Sequence, residues 1–229
     1  DLDVFTDISI PAEYFINVLK KQAVVNSGLK FIFHNQLEDG TFAEQEFVYE
    51  NGIVDYVNEL AGEKSITSSV YYETERRGRD REDKPEYKVK LSVSFCFSNE
   101  SNVIEYYHNS SFLEYGGSPD KAVKSAFVSV IDQYIKQNDK YKKNESKIKF
   151  EDVADCLCLV SNSFSTVTSY ENQTKKSITN KFIQEAMTDF LRENLNIYFI
   201  ENKVDAEKIV DQVLINKRSR ENAEKTRIN

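Results

Sequence analysis

The chain has 229 residues, 30 of them basic and 38 acidic, for a formal net charge of −8 and a pI near 5.0. That balance excludes a general nucleic-acid-binding surface, so any contact with DNA has to come from a local basic patch. No apolar run reaches the roughly 18 residues that a membrane-spanning helix needs, and Cys96, Cys156 and Cys158 lie in apolar runs without zinc-site spacing. The cysteines read as small core residues of a reducing, cytoplasmic compartment. The sequence starts at Asp1 with no signal-like apolar region, which points to a piece of a longer protein.

In chain order, Pro11-Ala12-Glu13 opens a helix whose apolar residues Phe15, Ile16, Leu19 and Ala23 recur at helical spacing, and Gly28 stops it. Strands are expected over 29–34 and 42–49, joined by an Asp39-Gly40 turn, followed by a short helix over 51–60. Residues 66–72 and 87–97 are strand-like, and the charge-dense stretch 75–84 between them reads as a mobile hairpin tip. A further strand covers 103–108.

Ser118-Pro119-Asp120 then starts a helix with Ala122, Val123, Ala126, Phe127, Val130, Ile131 and Tyr134 along one face. A lysine-rich loop, 138–147, and a helical turn, 151–154, lead into a strand over 156–163. An amphipathic helix spans 180–195 through Phe182, Ile183, Ala186, Phe190 and Leu191, and Tyr198-Phe199-Ile200 reads as an apolar break after it. Asp205 opens the last helix, whose apolar residues end near Ile215; from there to Arg227 it is almost wholly polar. Such a helix cannot be held by apolar burial, so its end is expected to fray or to project as a stalk supported from outside this chain. Strands early and helices late argue an α+β fold with a mixed sheet and a long C-terminal helix, not a doubly wound sheet.

The sequence lacks a Walker-type phosphate loop, a Gly-x-Ser-x-Gly elbow and a His-Glu-x-x-His pair. Its two histidines, His34 and His108, read as polar strand-end residues, and no metal site is expected. Gly116-Gly117 reads as a tight turn into the helix at Ser118; an anion cradle is the lesser reading, because Pro119 removes one free N–H. Gln173-Thr174-Lys175 remains, in a polar stretch between an apolar strand and an amphipathic helix. A lysine at such a tip is a movable point charge suited to a phosphate oxygen, although three polar residues alone specify only a solvated loop.

The order of segments is more specific. Asp3-Val4-Phe5, then Tyr14-Phe15 and Leu19 onward to Gly28-Leu29-Lys30-Phe31, is similar to a helix ending in "hydrophobic-x-Asn-x-Gly" and the strand after it. Val48-Tyr49-Glu50-Asn51-Gly52-Ile53 with Tyr56-Val57 resembles "Tyr-Glu-Gly-Gly-Ile…Phe-Val". Tyr106-Tyr107-His108-Asn109 and Glu114-Tyr115-Gly116-Gly117-Ser118 resemble "Phe-x-Asn…Glu-Gly-Gly-Thr". Lys149-Phe150-Glu151-Asp152-Val153 leads to Leu157 as "Gly-Asp-Asp-x-Arg-Glu-Gly-Leu" does, and Lys217-Arg218-Ser219-Arg220-Glu221-Asn222-Ala223 resembles an "Ala-Arg-Glu-Ala-Ala" exit helix. Together these resemble the transducer, the second domain of the ATPase subunit of bacterial type IIA DNA topoisomerases (gyrase B or topoisomerase IV), in a divergent form. Ala154-Asp155-Cys156-Leu157 replaces "Arg-Glu-Gly-Leu", Pro119 stands where His is usual, and Asn51 replaces a Gly.

The resemblance implies three parts: residues 1–43 closing an ATP-binding domain, 44–204 forming a transducer of the ribosomal protein S5 domain 2-like fold with helices on one face of a mixed sheet, and 205–229 leaving toward a DNA-cleaving module. It implies that Lys175 reaches the ATP γ-phosphate, with Gln173 near the attacking water or the same phosphate and Thr174 in the same loop. ATP and Mg2+ would be held mainly upstream, so this piece alone would bind neither and be inactive. DNA phosphates would meet Lys121 and Lys124, with Lys140, Lys142, Lys143, Lys147 and Lys149 as further candidates. An A-type topoisomerase subunit and a second copy, joined through upstream regions, are the expected partners. The alternatives are the second domain of a MutL-like ATPase of the same superfamily, or a scaffold domain that kept the fold without the activity.

Overall fold

The computed structural model describes residues 3–4 and 10–228, so Phe5 of the first matching segment lies outside the described residues. The chain divides into two compact units, Asp1–Tyr56 and Val57–Asn229.

In the first unit, α1 (Ala12–Val25) begins directly after Pro11, carries Glu13 in its first turn and ends at Asn26. An antiparallel hairpin follows, β1 (Phe31–Gln36) and β2 (Phe42–Phe47), with Phe31 opposite Phe47. Its turn is closed by Asp39, whose Oδ1 accepts the Thr41 N–H at 2.9 Å. Phe15 of α1 stacks on Phe33 of β1 with ring centroids 6.0 Å apart. Tyr14, Phe15, Val18, Ile32 and Phe42 all remain exposed. The next helix is α2 (Ile53–Ala61).

The second unit is built on a sheet of β3 (Val70–Gly78), β4 (Tyr87–Phe97), β5 (Ile104–His108), β6 (Ser111–Leu113) and β8 (Leu157–Ser165), in the order β3-β4-β8-β5-β6. The pair β5·β8 is parallel and the other pairs are antiparallel, so the sheet is mixed. Alternate residues of β4, from Val89 through Leu91, Val93 and Phe95 to Phe97, point into the core. There they meet α3 (Ser118–Gln137), through Ala122, Val123, Ala126, Phe127, Val130 and Ile131, and α5 (Lys181–Glu201), through Ile183, Met187, Phe190 and Leu191. Phe95 is the hub, with the Phe127 ring at 5.4 Å and the Tyr198 ring at 5.9 Å, both edge-on. A buried side chain of this size contributes about 2 to 3 kcal/mol relative to exposure, which makes this layer the main source of stability. The α+β class and mixed sheet expected from the sequence are present, and no helix of the described residues is long and apolar enough to cross a membrane.

Three expectations are corrected. The stretch 75–84 is not all loop: β3 runs to Gly78, which pairs with Tyr87, and its residues alternate between half-buried and exposed through Arg76 and Gly78. Residues 198–200 do not break the helix, since α5 continues to Glu201. Leu191, Leu195, Tyr198 and Phe199 keep one buried stripe, and Ile200 alone of the apolar triplet is turned out.

The third concerns the polar end of the last helix, α6 (Lys203–Ile228): as far as Glu221 it is supported within this chain, whereas residues 222–228 are exposed as expected. Lys217 is fully buried, 3.0 Å from Glu145 and 3.1 Å from Glu221. Arg218 also binds Glu145, and mainly this bond holds the Glu145 carboxyl down to about 2. Arg220 grips both oxygens of Asp152, at 2.8 and 3.1 Å, on the short helix α4 (Phe150–Ala154). Charge-assisted bonds to buried carboxylates thus replace the missing apolar stripe.

Candidate functional site

Residues 166–176 connect β8 to a two-residue strand, β9 (Ser177–Ile178), and carry Gln173-Thr174-Lys175 at their tip. The base of this loop is closed on both sides. The Thr179 N–H donates to Ser169 O at 2.7 Å, and the Glu171 N–H to Ser177 O at 3.0 Å. The Asn180 side chain, 1% exposed, accepts the Ser169 N–H at 2.8 Å and donates to Val167 O at 3.1 Å. On the far side, β9 pairs in parallel with β7 (Gly116–Gly117), and the Tyr115 N–H donates to Lys176 O at 3.0 Å.

Gly116-Gly117 makes the expected tight turn into α3, both residues at positive φ and the Gly117 N–H donating to Tyr115 O at 2.9 Å, and it pairs with β9 as well. Gly117 has φ +79, and a Cβ there would stand 2.1 Å from Ile178 O. Only glycine lets β9 lie this close.

The tip is held differently. Asn172 Oδ1 accepts both the Thr174 N–H and the Thr174 hydroxyl, a local turn that shapes residues 172–174. Lys175 has φ +56, a left-handed conformation that costs a non-glycine residue about 1 kcal/mol. Gln173, Thr174 and Lys175 are exposed. The Lys175 ammonium lies 5.7 Å from the Tyr170 ring centroid and has no ion-pair partner among the described residues. The next residue differs: Lys176 is bound to Glu114 at 2.6 Å and does not share that freedom. The loop so presents one unpaired cation on a strained tip above a fastened base.

The other basic residues divide similarly. Lys121 and Lys124 are exposed on α3; Lys124 pairs with Asp120 at 2.9 Å and approaches the Phe150 ring, whereas Lys121 has no ion pair among the described residues. Lys140 is committed to Glu207, with Asp211 at 3.8 Å. Lys142, Lys143, Lys147 and Lys149 are exposed in the segment after α3.

His108 is the last residue of β5, a polar strand-end residue as expected. It is fully buried, with Nδ1 2.7 Å from Ser163 Oγ and Nε2 2.9 Å from Thr168 Oγ1, so it ties β5 to β8 and to the start of the loop. Burial lowers its pKa from 6.5 to about 4. Between those values the unfolded chain binds a proton that the folded chain does not. The contribution is complete above pH 6.5 and fades as pH falls toward 4. Urea unfolding is expected to show about 2 kcal/mol less stability at pH 5 than at pH 7 from this residue, a difference that His108→Gln removes.

All three cysteines are buried and free, with Cys96 opposite Cys158 across β4 and β8. Sequence reading did not single out Asn180 beyond a helix start. Its signal was only an Asn ahead of an amphipathic run, and its bonded partners depend on the folded loop.

The sequence matches the family DNA gyrase B over residues 52–229. The chain belongs to the DNA gyrase B family. It is 28% identical over 224 residues to the DNA gyrase B protein of Metamycoplasma arthritidis, covering 96% of this chain and 34% of that protein. It is 27% identical over 229 residues to the DNA gyrase B protein of Chlamydia pneumoniae, covering 99% of this chain and 28% of that protein. The chain thus spans well under half the length of these curated relatives. Among solved structures, the 43K ATPase domain of Thermus thermophilus gyrase B, in complex with an aminocoumarin, matches with a TM-score of 0.68 at 22% identity, over 99% of this chain and 58% of that one. The topoisomerase IV ATP-binding domain of Francisella tularensis matches with a TM-score of 0.67 at 21% identity, over 96% and 57%. At these identities the likeness is one of fold.

Proposed function

We propose that this chain is the transducer part of an ATP-dependent type IIA DNA topoisomerase subunit, and that its Gln173-Thr174-Lys175 loop reads the γ-phosphate of ATP. In this reading residues 1–43 close the ATP-binding domain, 44–204 are the transducer, and 205–229 leave toward the DNA-cleaving module. The observation that carries it is the unpaired Lys175 ammonium on an exposed, left-handed tip whose base is hydrogen-bonded on both sides. Family membership and the ATPase-domain fold support it.

ATP supplies a transferable phosphoryl group whose charge spreads over its outer oxygens. Lys175 sets a cation against that charge, Gln173 orients the attacking water or the same phosphate, and Thr174 fixes the turn between them. In this reading Mg2+ and most of the nucleotide are held by the upstream domain.

Loss of the γ-phosphate releases Lys175, and the loop relaxes. Because the loop joins β8 to β9 and α5, that change reaches the two-helix layer and then α6. DNA phosphates meet Lys121 and Lys124 at the exposed surface of α3; an A-type subunit and a second copy complete the enzyme. The deciding experiment is ATP turnover by the full-length subunit carrying Lys175→Ala. A large loss supports this reading, and unchanged turnover removes Lys175 from it.

A further inference from the structure

The hairpin between β3 and β4 carries a charged tip, residues 79–86, and reaches the foot of the loop that bears Lys175. Gly78 ends β3 against the Phe182 ring: a Cβ at this position would come within 2.2 Å of Phe182 Cε2. Beyond it, Asp80 Oδ1 accepts two bonds, from the Tyr87 hydroxyl at 2.6 Å and from the Phe182 N–H in the first turn of α5 at 3.0 Å. The same Tyr87 oxygen accepts a bond from Asn180 Nδ2 at 2.9 Å. Asn180 in turn holds Ser169 N–H and Val167 O. A single hydrogen-bonded path runs from the hairpin tip to both sides of the loop base.

The path consists of stiff parts. Tyr87 is 3% exposed and meets the Phe182 ring edge-on at 5.3 Å. Burial, and after it the Asp80 carboxylate, raises the Tyr87 pKa, so the phenol keeps its proton and its role as donor. Asp80 also sets a negative charge beside the N–H groups that open α5, where the helix dipole favours one. Asn180 uses its amide oxygen once and its amide nitrogen twice, which leaves it little freedom to turn.

We propose that Asn180, Tyr87 and Asp80 are positioning residues for Lys175: they fix the foot of the loop so that its tip presents the ammonium in one place. This rests on the reading of Lys175 given above. None of the three side chains belongs to the Gln173-Thr174-Lys175 tip, and none is assigned contact with the nucleotide. Their effect is on where the charge stands, so turnover suffers more than binding.

The test is steady-state ATP hydrolysis by the full-length subunit carrying Lys175→Ala, Asn180→Ala, Tyr87→Phe, and each of the last two combined with Lys175→Ala. Asn180→Ala is expected to lower kcat about tenfold with KM within about twofold, and Tyr87→Phe to lower it about threefold. In the Lys175→Ala background neither is expected to lower it further, since there is no ammonium left to place. Tyr87→Phe keeps the buried ring and removes one oxygen, so it carries the test if Asn180→Ala does not fold. Full kcat in both variants, or losses that multiply with that of Lys175→Ala, would overturn the positioning role and leave Lys175 standing. If Lys175→Ala alone turns over ATP normally, the reading of the loop fails, and this inference with it.

Discussion

Replacing Lys175 by alanine in the full-length subunit is expected to lower ATP turnover about a hundredfold, while nucleotide binding weakens only several-fold. The asymmetry follows from geometry. Lys175 is exposed, its ammonium has no carboxylate partner among the described residues, and its nearest aromatic neighbour is the Tyr170 ring. Truncation therefore leaves the fold nearly untouched, within about 0.5 kcal/mol for a surface site. The loss must come from a charge that matters most when negative charge on the phosphoryl oxygens is moving. Lys175→Arg separates charge from shape: a planar guanidinium keeps the charge but not the compact ammonium, and partial recovery is expected. Rate constants for the two variants, compared at saturating ATP, check both statements. Lys176→Ala is the contrasting substitution, because that side chain is already bound to Glu114.

A second large effect is expected at the far end of the molecule. Arg220→Met is expected to destabilise the chain by about 3 kcal/mol in urea unfolding. Its partner Asp152 is 1% exposed in the side chain and receives both guanidinium bonds together with the Lys149 N–H at 2.8 Å. Removing the arginine leaves a buried carboxylate with the Lys149 N–H as its remaining bond, and α6 keeps its ties to Glu145. Removing both charges, with Arg220→Met and Asp152→Ala together, is expected to recover much of the loss, because no unpaired charge then remains inside. Simple addition of the two single effects would mean that the pair does not act as a unit.

These two sites were unequally legible in the sequence. The long helix α3 could be read outright, since Ala122, Val123, Ala126, Phe127, Val130 and Ile131 repeat with the helical period and are all buried. The loop at Gln173-Thr174-Lys175 was visible as polar and exposed, but its meaning came only from resemblance. Nothing in local spacing separates Lys175 from Lys176, and their difference in pairing depends on Glu114, far away in the chain. Strands β7 and β9 were invisible because two residues carry no periodicity; they exist because Gly117 admits a backbone at close range. The polar part of α6 up to Glu221 was misread for a related reason. Its partners Glu145 and Asp152 lie 72 and 68 residues before Lys217 and Arg220, and a polar face gives no sign of carboxylates that distant. The triplet 198–200 misled because three adjacent apolar residues hide which of them keep phase with Leu191 and Leu195.

Lys175 is proposed to distinguish a nucleotide with a γ-phosphate from one without. Amide hydrogen exchange over residues 169–176 of the full-length subunit measures this most directly, with a non-hydrolysable triphosphate analogue in one sample and the diphosphate in the other. The account predicts slower exchange with the triphosphate alone, and loss of that slowing in Lys175→Ala. Equal exchange in the two nucleotide states would contradict it.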